Sequence, residues 1–259
     1  MKKLSIIVPV YNEEKSVLTI LRLLASLPLG VEKEIIIVDD GSTDRSKEII
    51  KNYIKNKKKN PKTRFVFLSK LNGGKGSALR LGFEHASGDA CIIQDADLEY
   101  QPKEILLLID ALERGEGDVI YGSRILEQKN PYVYLTYYLG NRFLSIITSI
   151  LYGTRITDME TCYKLIPTPI LRTLYLQANS FDIEPEITAQ LLRKEHHIHE
   201  IPITYNPRSK QEGKKIRWKD GFEALWTLFL WRVRPLSSKE QLNPREVQRK
   251  QLRKLRKTA

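Results

Sequence analysis

The stretch EIIIVDDGSTD, Glu34–Asp44, is an unbroken apolar run that ends in two aspartates and a Gly-Ser turn. Such a run predicts a strand buried on both faces, since an exposed face would carry polar residues at alternate positions. The segment LSIIVPVYNEE, Leu4–Glu14, has the same form. Two strands of this kind favour a mostly parallel sheet, in which ligands bind beyond the carboxyl ends of the strands.

The rest of the first half continues to alternate strand and helix patterns. Further strands are predicted at RFVFLS, DACIIQD and GDVIYGS, and helices at Glu13–Leu27, at STDRSKEIIKNYIKNKKK with Ser42 or Thr43 as its cap, at Gly76–Ala86 and at Pro102–Arg114. The expected fold class is therefore α/β, with a mostly parallel sheet flanked by helices.

The second half is less regular. Amphipathic helices are predicted at Tyr132–Tyr152 and Trp218–Trp231, and a further helix at SFDIEPEITAQLLRK. YKLIPTPI and HHIHEIPITYNPRS each predict a short strand. No run of about 20 apolar residues suggests a membrane span. The short apolar run at the N-terminus is interrupted by Pro9 and Asn12, so we expect a buried strand there and no signal peptide.

The net charge of +12 is concentrated near the C-terminus, where residues 208–259 contain 16 Lys and Arg against 5 Asp and Glu. The alternatives are a solvated basic tail, contact with an anionic membrane surface, and contact with nucleic acid. No nucleic-acid motif accompanies the charge, so no specific nucleic acid is expected. Two cysteines, Cys91 and Cys162, in a thiol-poor chain favour a reducing cytoplasm over a disulfide.

Three carboxylates stand at alternate positions in DADLE: Asp95, Asp97 and Glu99. Carboxylate oxygens are the ligands that Mg²⁺ and Mn²⁺ prefer, usually together with substrate phosphates. The alternative is that these acids stabilise the start of the helix predicted near Pro102. The position of the motif after a strand favours a metal site.

Two other strand ends carry candidate ligand groups. In VDDGSTD the carboxylates can accept hydrogen bonds from a base and a ribose, or they can cap the following helix. In LNGGKGSA glycines permit close backbone approach to phosphates and Lys75 supplies charge, although the pattern is not a P-loop. In EHHIHE, His197 and His199 can share a strand face, but no further ligand supports a zinc site.

Five motifs together resemble the family 2 glycosyltransferases with the GT-A nucleotide-sugar fold: IIVPVYNEE, IIIVDDGSTD, GKGSALRLGFEHASGD, DADLE and GSR. More narrowly, the chain is similar to dolichyl- and polyprenyl-phosphate mannosyl- or glucosyltransferases over roughly Leu4 to Trp231. The resemblance implies a catalytic domain over residues 1–235, with a nucleotide-sugar half (1–125) and an acceptor half (126–235). Residues 236–259 are expected to be a flexible basic tail.

The resemblance also implies residue roles. Pro9, Tyr11 and Glu13 match the segment around the nucleoside, and Asp40 with Asp39 matches the contact to the base. The metal and diphosphate site matches Asp95, Asp97 and Glu99, although mannosyltransferases usually have Gln at the last position. Arg124 matches the arginine near diphosphate and sugar, Arg142 the one that faces the acceptor, and Arg208 and Lys214 a basic pair on a closing loop.

The expected reaction is inverting transfer of a hexose, mannose or glucose, from a UDP- or GDP-sugar to a polyprenyl phosphate, with Mg²⁺ or Mn²⁺, at the cytoplasmic face of the membrane. A phosphate acceptor is already a nucleophile at neutral pH, whereas a hydroxyl acceptor requires a base, for which Asp158 or Glu160 is the candidate. The alternative for both acids is a structural role in a turn or a helix cap. The alternatives are transfer to a polysaccharide, protein or small-molecule hydroxyl, and a non-catalytic basic protein that binds membranes or nucleic acid.

Overall fold

The computed structural model describes residues 1–58, 60–127, 135–208 and 218–235. Within these ranges the strands are Lys3–Val10 (β1), Glu32–Asp39 (β2), Thr63–Ser69 (β3), Ala90–Ile93 (β4), Val119–Ser123 (β5), Lys164–Pro167 (β6) and Ile198–Pro202 (β7). The helices are Val17–Ser26 (α1), Ser46–Asn56 (α2), Lys75–His85 (α3), Ile105–Glu113 (α4), Leu135–Tyr152 (α5), Thr168–Leu171 (α6), Ile183–Arg193 (α7) and Trp218–Val233 (α8), and a 3₁₀ turn at Pro102–Glu104 leads into α4.

The strands form one sheet in the order β3-β2-β1-β4-β6-β5-β7. β6 runs antiparallel to β4 and β5, and the other pairings are parallel. The predicted α/β class with a mostly parallel sheet is therefore confirmed. Because β1, β2, β4 and β5 run in the same direction, their carboxyl ends meet at one edge of the sheet, which we call the strand-end edge.

The core lies on both faces of the central strands. Side chains 35–38 of β2 have no exposed surface, as the unbroken apolar run predicts. Helix α1 covers the sheet with the apolar side chains of Val17, Ile20, Leu21 and Leu24. Lys33 reaches under the end of this helix, where its ammonium donates to the carbonyls of Leu24 and Leu27, at 2.8 and 2.5 Å.

Two predicted helix starts were wrong. α2 begins at Ser46 with Arg45 as its N-cap residue, and neither Ser42 nor Thr43 caps it. Those two residues bond Asn12 instead: Ser42 Oγ accepts from its backbone amide, and the Thr43 amide donates to its side-chain carbonyl. α1 begins at Val17, because the preceding residues form a turn in which the Val17 amide donates to the Glu13 carbonyl.

Two further expectations concern thiols and membrane spans. Cys91 and Cys162 are buried free thiols, so they do not form a disulfide. Among the described helices, none combines the length and apolar character needed to cross a bilayer.

Candidate active site

The strand-end edge brings together acidic and basic residues from distant parts of the chain. Asp97 lies in the turn after β4, and its Oδ2 accepts a hydrogen bond of 2.9 Å from Arg208 Nη2. The same guanidinium contacts Glu13, in the turn after β1, at 3.1 Å. One arginine thus bridges two carboxylates separated by more than eighty residues and joins the DADLE motif to the turn after β1.

Asp97 lies in a group of carboxylates whose negative charge Arg208 does not fully neutralise. Burial raises the pKa of the Asp97 carboxyl, and the neighbouring Asp95 and Glu99 carboxylates raise it further. Arg208 opposes this shift but does not cancel it, and the pKa stands at about 7. A second cation placed beside these acids would remove the remaining repulsion.

Glu99 has a different role from the one expected. Its Oε2 accepts a hydrogen bond from the Tyr205 hydroxyl and its Oε1 accepts one from the Arg208 amide, both at 2.8 Å. The Asn206 amide also donates to the Glu99 carbonyl, at 2.9 Å. Glu99 therefore anchors the segment 205–208 and so positions the Arg208 side chain.

Asp95 is paired with Lys75, whose ammonium lies 3.0 Å from the Asp95 carboxylate and 2.8 Å from Glu184 Oε1. Burial lowers the pKa of Lys75, but these two carboxylates more than offset it and hold the pKa well above its usual value. The lysine is therefore a fixed positive charge beside the DADLE motif.

The acidic residues fit a divalent cation only in part. In the ranges that the structure describes, no three His, Cys, Asp or Glu side chains converge as a metal site, so the predicted set of three carboxylates is not formed. Asp95 and Asp97 supply the hard oxygen atoms that Mg²⁺ and Mn²⁺ prefer, and the raised pKa of Asp97 marks uncompensated negative charge. Glu99 anchors the segment 205–208, so Asp95 and Asp97 are the residues that would hold the ion.

Arg124 follows β5 and is fixed on several sides. Its Nε and Nη2 donate to the two Asp158 oxygens, each at 2.7 Å, and its own amide donates to the same carboxylate at 2.8 Å. The guanidinium lies 5.0 Å from the ring centroid of Tyr205 and 5.8 Å from that of Tyr100. Tyr205 thus links Arg124 to Glu99, and the two predicted arginines belong to one cluster.

The expectation that Asp158 is a candidate base is corrected by this geometry. Asp158 is fully buried, and it also accepts a hydrogen bond of 2.7 Å from Asn141 Nδ2. Burial alone would raise its pKa, but Arg124 and the hydrogen bonds hold the pKa below the usual value. A carboxylate stabilised in this way is a weak base, and Asp158 instead positions Arg124.

The glycine-rich loop does not present its amides to a ligand. The Gly73 and Gly74 amides donate to Asp40, and the Gly76 amide donates to the Ser180 carbonyl at 3.1 Å. A Cβ atom on Gly76 would lie 2.5 Å from the Ala178 carbonyl oxygen. The glycines therefore allow close packing against segment 178–180, and the predicted phosphate cradle is not formed in this structure.

The two aspartates that end β2 are buried and bonded within the protein. Asp39 accepts hydrogen bonds from the Ser42 amide and the Ser69 hydroxyl, at 3.2 and 3.0 Å. Asp40 pairs with the Lys70 ammonium at 2.7 Å. Both side chains thus order the turns around the strand-end edge, and their predicted contact to a base stays a prediction.

The remaining predicted residues occupy separate positions. Pro9 and Tyr11 stand at the end of β1, where the Tyr11 side chain is exposed. Arg142 lies half-buried on α5, next to Asn141. Lys214 and the tail 236–259 lie outside the described residues. His199 pairs with Glu116 at 3.2 Å, and among the described residues no zinc-like group forms around it.

Sequence reasoning did not identify four residues that hold the cluster together: Tyr100, Asn141, Glu184 and Tyr205. Each lies in or beside a motif that was considered, but its contact is to a residue far away in the chain. Tyr100 and Tyr205, for example, both lie beside Arg124 only because a bridge between them joins the two segments.

Comparison with known families identifies one matching domain. The model of glycosyl transferase family 2 matches residues 5–174, which include β2 to β6, β1 from residue 5 onward, and most of the strand-end edge.

Two curated relatives are undecaprenyl-phosphate 4-deoxy-4-formamido-L-arabinose transferases. The protein from Edwardsiella ictaluri is 40% identical over 114 residues, covering 43% of this chain and 34% of the relative. The protein from Photorhabdus laumondii is 39% identical over 117 residues, covering 44% of this chain and 35% of the relative. The matched segment thus spans about a third of the length of each relative.

Solved structures support the fold across nearly the whole chain. Glucosyl-3-phosphoglycerate synthase from Mycobacterium tuberculosis, in complex with Mn²⁺, UDP and phosphoglyceric acid, superposes with a TM-score of 0.66 at 17% identity. The match covers 92% of this chain and 80% of that one. A complex of the same enzyme with Mn²⁺, UDP and glucosyl-3-phosphoglycerate gives a TM-score of 0.67 at 18% identity.

Proposed function

The chain belongs to glycosyl transferase family 2 and has the GT-A fold, and from this premise we propose that it transfers a sugar from a nucleotide sugar to a polyprenyl phosphate. The observation that carries the proposal is the cluster in which Arg208 bridges Glu13 and Asp97 while Arg124 stacks on Tyr205 beside it. Fixed arginines next to a pair of carboxylates are suited to a diphosphate and its counter-ion.

The chemistry required of this cluster is stabilisation of a leaving group. When the bond between the sugar and the nucleoside diphosphate breaks, negative charge grows on the diphosphate. Arg208, Arg124 and Lys75 supply positive charge whose stabilising effect is largest in the transition state, which is the condition for catalysis. A divalent cation held by Asp95 and Asp97 would draw further charge from the diphosphate oxygens.

The fixed positions of these cations matter as much as their charge. Arg124 is held by Asp158 and two aromatic rings, and Lys75 is held by Glu184. Side chains that are ordered before the substrate binds need little reorganisation during the reaction, and this increases the electrostatic contribution to catalysis.

A phosphate acceptor agrees with the state of Asp158. The second pKa of a phosphate monoester is near ~6, so the acceptor oxygen is already ionised at neutral pH and needs no protein base. Asp158, the candidate base, is instead engaged by Arg124 and Asn141. We assign Arg142, next to Asn141 on α5, as the residue that meets the acceptor phosphate.

The donor sugar is the finer part of the proposal. A hexose from UDP or GDP, mannose or glucose, is the donor group that the resemblance implies. The curated relatives are named for 4-deoxy-4-formamido-L-arabinose, and so this sugar belongs in the same test. We place the reaction at the cytoplasmic face of the membrane, with the protein peripherally associated.

The proposal is tested by a donor screen. The purified chain is incubated with Mg²⁺ or Mn²⁺, a polyprenyl phosphate and each labelled nucleotide sugar, and both nucleoside diphosphate release and chloroform-soluble product are measured. The expected result is an acid-labile lipid product with one donor. A water-soluble glycoside in place of any lipid product would overturn the acceptor assignment and favour transfer to a hydroxyl group.

The role of Asp97 is tested by Asp97→Asn, which keeps the shape of the side chain and removes its charge. We expect kcat/KM to fall by about 10²–10³-fold, the usual cost of losing a charge-stabilising group in an active site. Mn²⁺ binding, followed by electron paramagnetic resonance, should weaken in parallel. Asp110→Asn, on the exposed face of α4, is the control and should behave as wild type. Full turnover by Asp97→Asn would exclude this role.

A further inference from the structure

Helix α5 carries an exposed apolar stripe. Its exposed large side chains are Leu135, Leu139, Phe143, Ile146 and Ile150, with exposed fractions from 49% to 72%. At 3.6 residues per turn these positions fall within a sector of about 80° of the helix surface. The opposite face contains the buried residues Leu144, Ser145 and Thr148, so the stripe points away from the core.

Helix α8 carries a second stripe of the same kind. Its exposed large side chains are Phe222, Trp226, Phe229, Leu230 and Val233, with exposed fractions from 40% to 76%. These positions fall within a sector of about 100°. Ala224, Leu228 and Trp231 bury the other side of the helix in the core. Exposed aromatic residues on two helices make a larger apolar surface than isolated surface residues would.

The two helices are packed together, and α5 adjoins the active site. The Tyr152 hydroxyl on α5 donates to the Leu228 carbonyl on α8 at 2.8 Å, and Arg232 Nε donates to the Leu151 carbonyl at 2.8 Å. On α5, Asn141 bonds Asp158, the partner of Arg124. We call the two stripes together the α5–α8 face. Asn141 lies on the opposite side of α5, toward the active site, whereas Arg142, assigned above to the acceptor phosphate, stands at the edge of this face.

The charges around the face are mostly basic. Arg142 is the one charged residue of α5, and on a helical wheel it stands at the edge of the apolar stripe. On α8, Lys219 lies within the stripe, the exposed acid Glu223 stands at one edge of it, and the exposed Arg232 lies farther out on the other side. The sequence that follows, 236–259, contains eight Lys and Arg against two Asp and Glu. The excess of basic residues around this face is electrostatically complementary to an anionic surface.

We propose that the α5–α8 face is a docking surface for an anionic lipid bilayer, on which both helices lie in the plane of the membrane. Apolar and aromatic side chains would enter the boundary between headgroups and acyl chains while the basic residues contact the headgroups. This inference rests on the proposed function, since an acceptor phosphate carried by a membrane lipid is reached from that surface. Docking by this face places Arg142 at the level of the lipid phosphates.

The test is flotation of the full chain with phosphatidylcholine vesicles, with and without phosphatidylglycerol, in the absence of donor and acceptor. We expect binding that is stronger with phosphatidylglycerol. Phe222→Glu and Trp226→Glu should each reduce partitioning by about tenfold, because each removes one aromatic side chain from the buried surface. Both side chains are about two-thirds exposed, so thermal unfolding should not change.

The matched control is Leu71→Glu, since Leu71 is 90% exposed but lies on the loop after β3, away from both helices. Its vesicle binding should equal that of wild type. Wild-type binding by Trp226→Glu, or equal loss in Leu71→Glu, would overturn the inference. A concentration-dependent dimer that Trp226→Glu dissociates, without vesicle binding by wild type, would also overturn it. Because no substrate is present, these outcomes do not depend on the donor screen.

Discussion

Asp97 and Glu99 are two residues apart in one acidic motif, yet they have different partners. Asp97 faces the guanidinium of Arg208 and retains repulsion from its neighbours, which raises its pKa. Glu99 accepts hydrogen bonds from Tyr205 and from the Arg208 backbone amide. At the scale of single residues, the role of each carboxylate is therefore set by the hydrogen-bond donors that contact it.

Glu160 is a second carboxylate whose surroundings determine its charge. Its Oε1 is buried and has no hydrogen-bond partner among the described residues. Burial and the nearby Glu184 carboxylate raise the pKa of Glu160 from an ordinary value of 4.5 to about 8. At neutral pH this side chain is therefore mainly protonated in the folded protein.

The pKa of Glu160 predicts a pH dependence of stability. Between pH 4.5 and about 8 the folded protein holds a proton that the unfolded chain has lost, so the free energy of unfolding falls as pH rises through this window. Glu160→Gln resembles the protonated form and should remove this part of the slope, as measured by urea unfolding at several pH values. Glu48→Gln, on the exposed side of α2, should keep the wild-type slope. An unchanged slope in Glu160→Gln would contradict the assignment.

At the scale of elements, the loop before α3 shows how a glycine-rich motif can serve packing. Gly74 has φ +92°, which favours glycine, and a Cβ atom there would collide with the Asn179 carbonyl. The Gly76 and Ser77 amides bond the carbonyls of Ser180 and Asn179. The loop is thereby joined to the segment that leads into α7, which carries Glu184. This junction places Lys75 between Asp95 and Glu184.

Gly76→Ala should therefore destabilise the fold. The new methyl group would lie 2.5 Å from the Ala178 carbonyl oxygen, and the resulting displacement should lower the free energy of unfolding by about 1–3 kcal/mol. Gly140→Ala on α5 is the matched control: nothing lies within 4 Å of its Cβ position, and alanine should stabilise the helix by up to about 1 kcal/mol. Urea denaturation measures both variants. Equal effects would contradict the packing role.

At the scale of the whole molecule, the residues after 174 complete both the core and the active site. α7 is buried along almost its entire length, β7 pairs with β5, and α8 adds Leu228 and Trp231 to the core. Arg208 and Tyr205 also come from this part of the chain. The segment that matches the family model is thus shorter than the folding unit.

Truncation tests this conclusion. A fragment of residues 1–174 should show no cooperative unfolding, since it leaves one side of β5 unpaired and the contact surface of α7 exposed. Residues 1–235, the predicted catalytic domain, should unfold cooperatively with a midpoint close to that of the full chain. Circular dichroism during heating distinguishes these results. A cooperative transition in the 1–174 fragment would show that the later elements are dispensable for folding.

Much of the architecture was predictable from local patterns. Apolar runs such as residues 35–38 identified the buried strands, and polar residues that follow them identified the strand-end edge. The start of α2 was predicted less well, because Ser42 and Thr43 bond Asn12 in a neighbouring turn. The start of α1 was predicted too early, because the residues before Val17 form a turn. A helix cap can be recognised from the local sequence, whereas a competing hydrogen-bond partner from another segment cannot.

The sequence by itself determined the α/β fold and the position of the DADLE acids at a strand end, because periodicity and strand direction depend on neighbouring residues. Only the tertiary structure decided that Glu99 anchors a loop, that Asp158 holds Arg124 and that the glycine loop packs on residues 178–180. It also decided that the apolar stripes of α5 and α8 remain exposed. These outcomes depend on hydrogen bonds and packing between residues far apart in the chain, which no local pattern encodes.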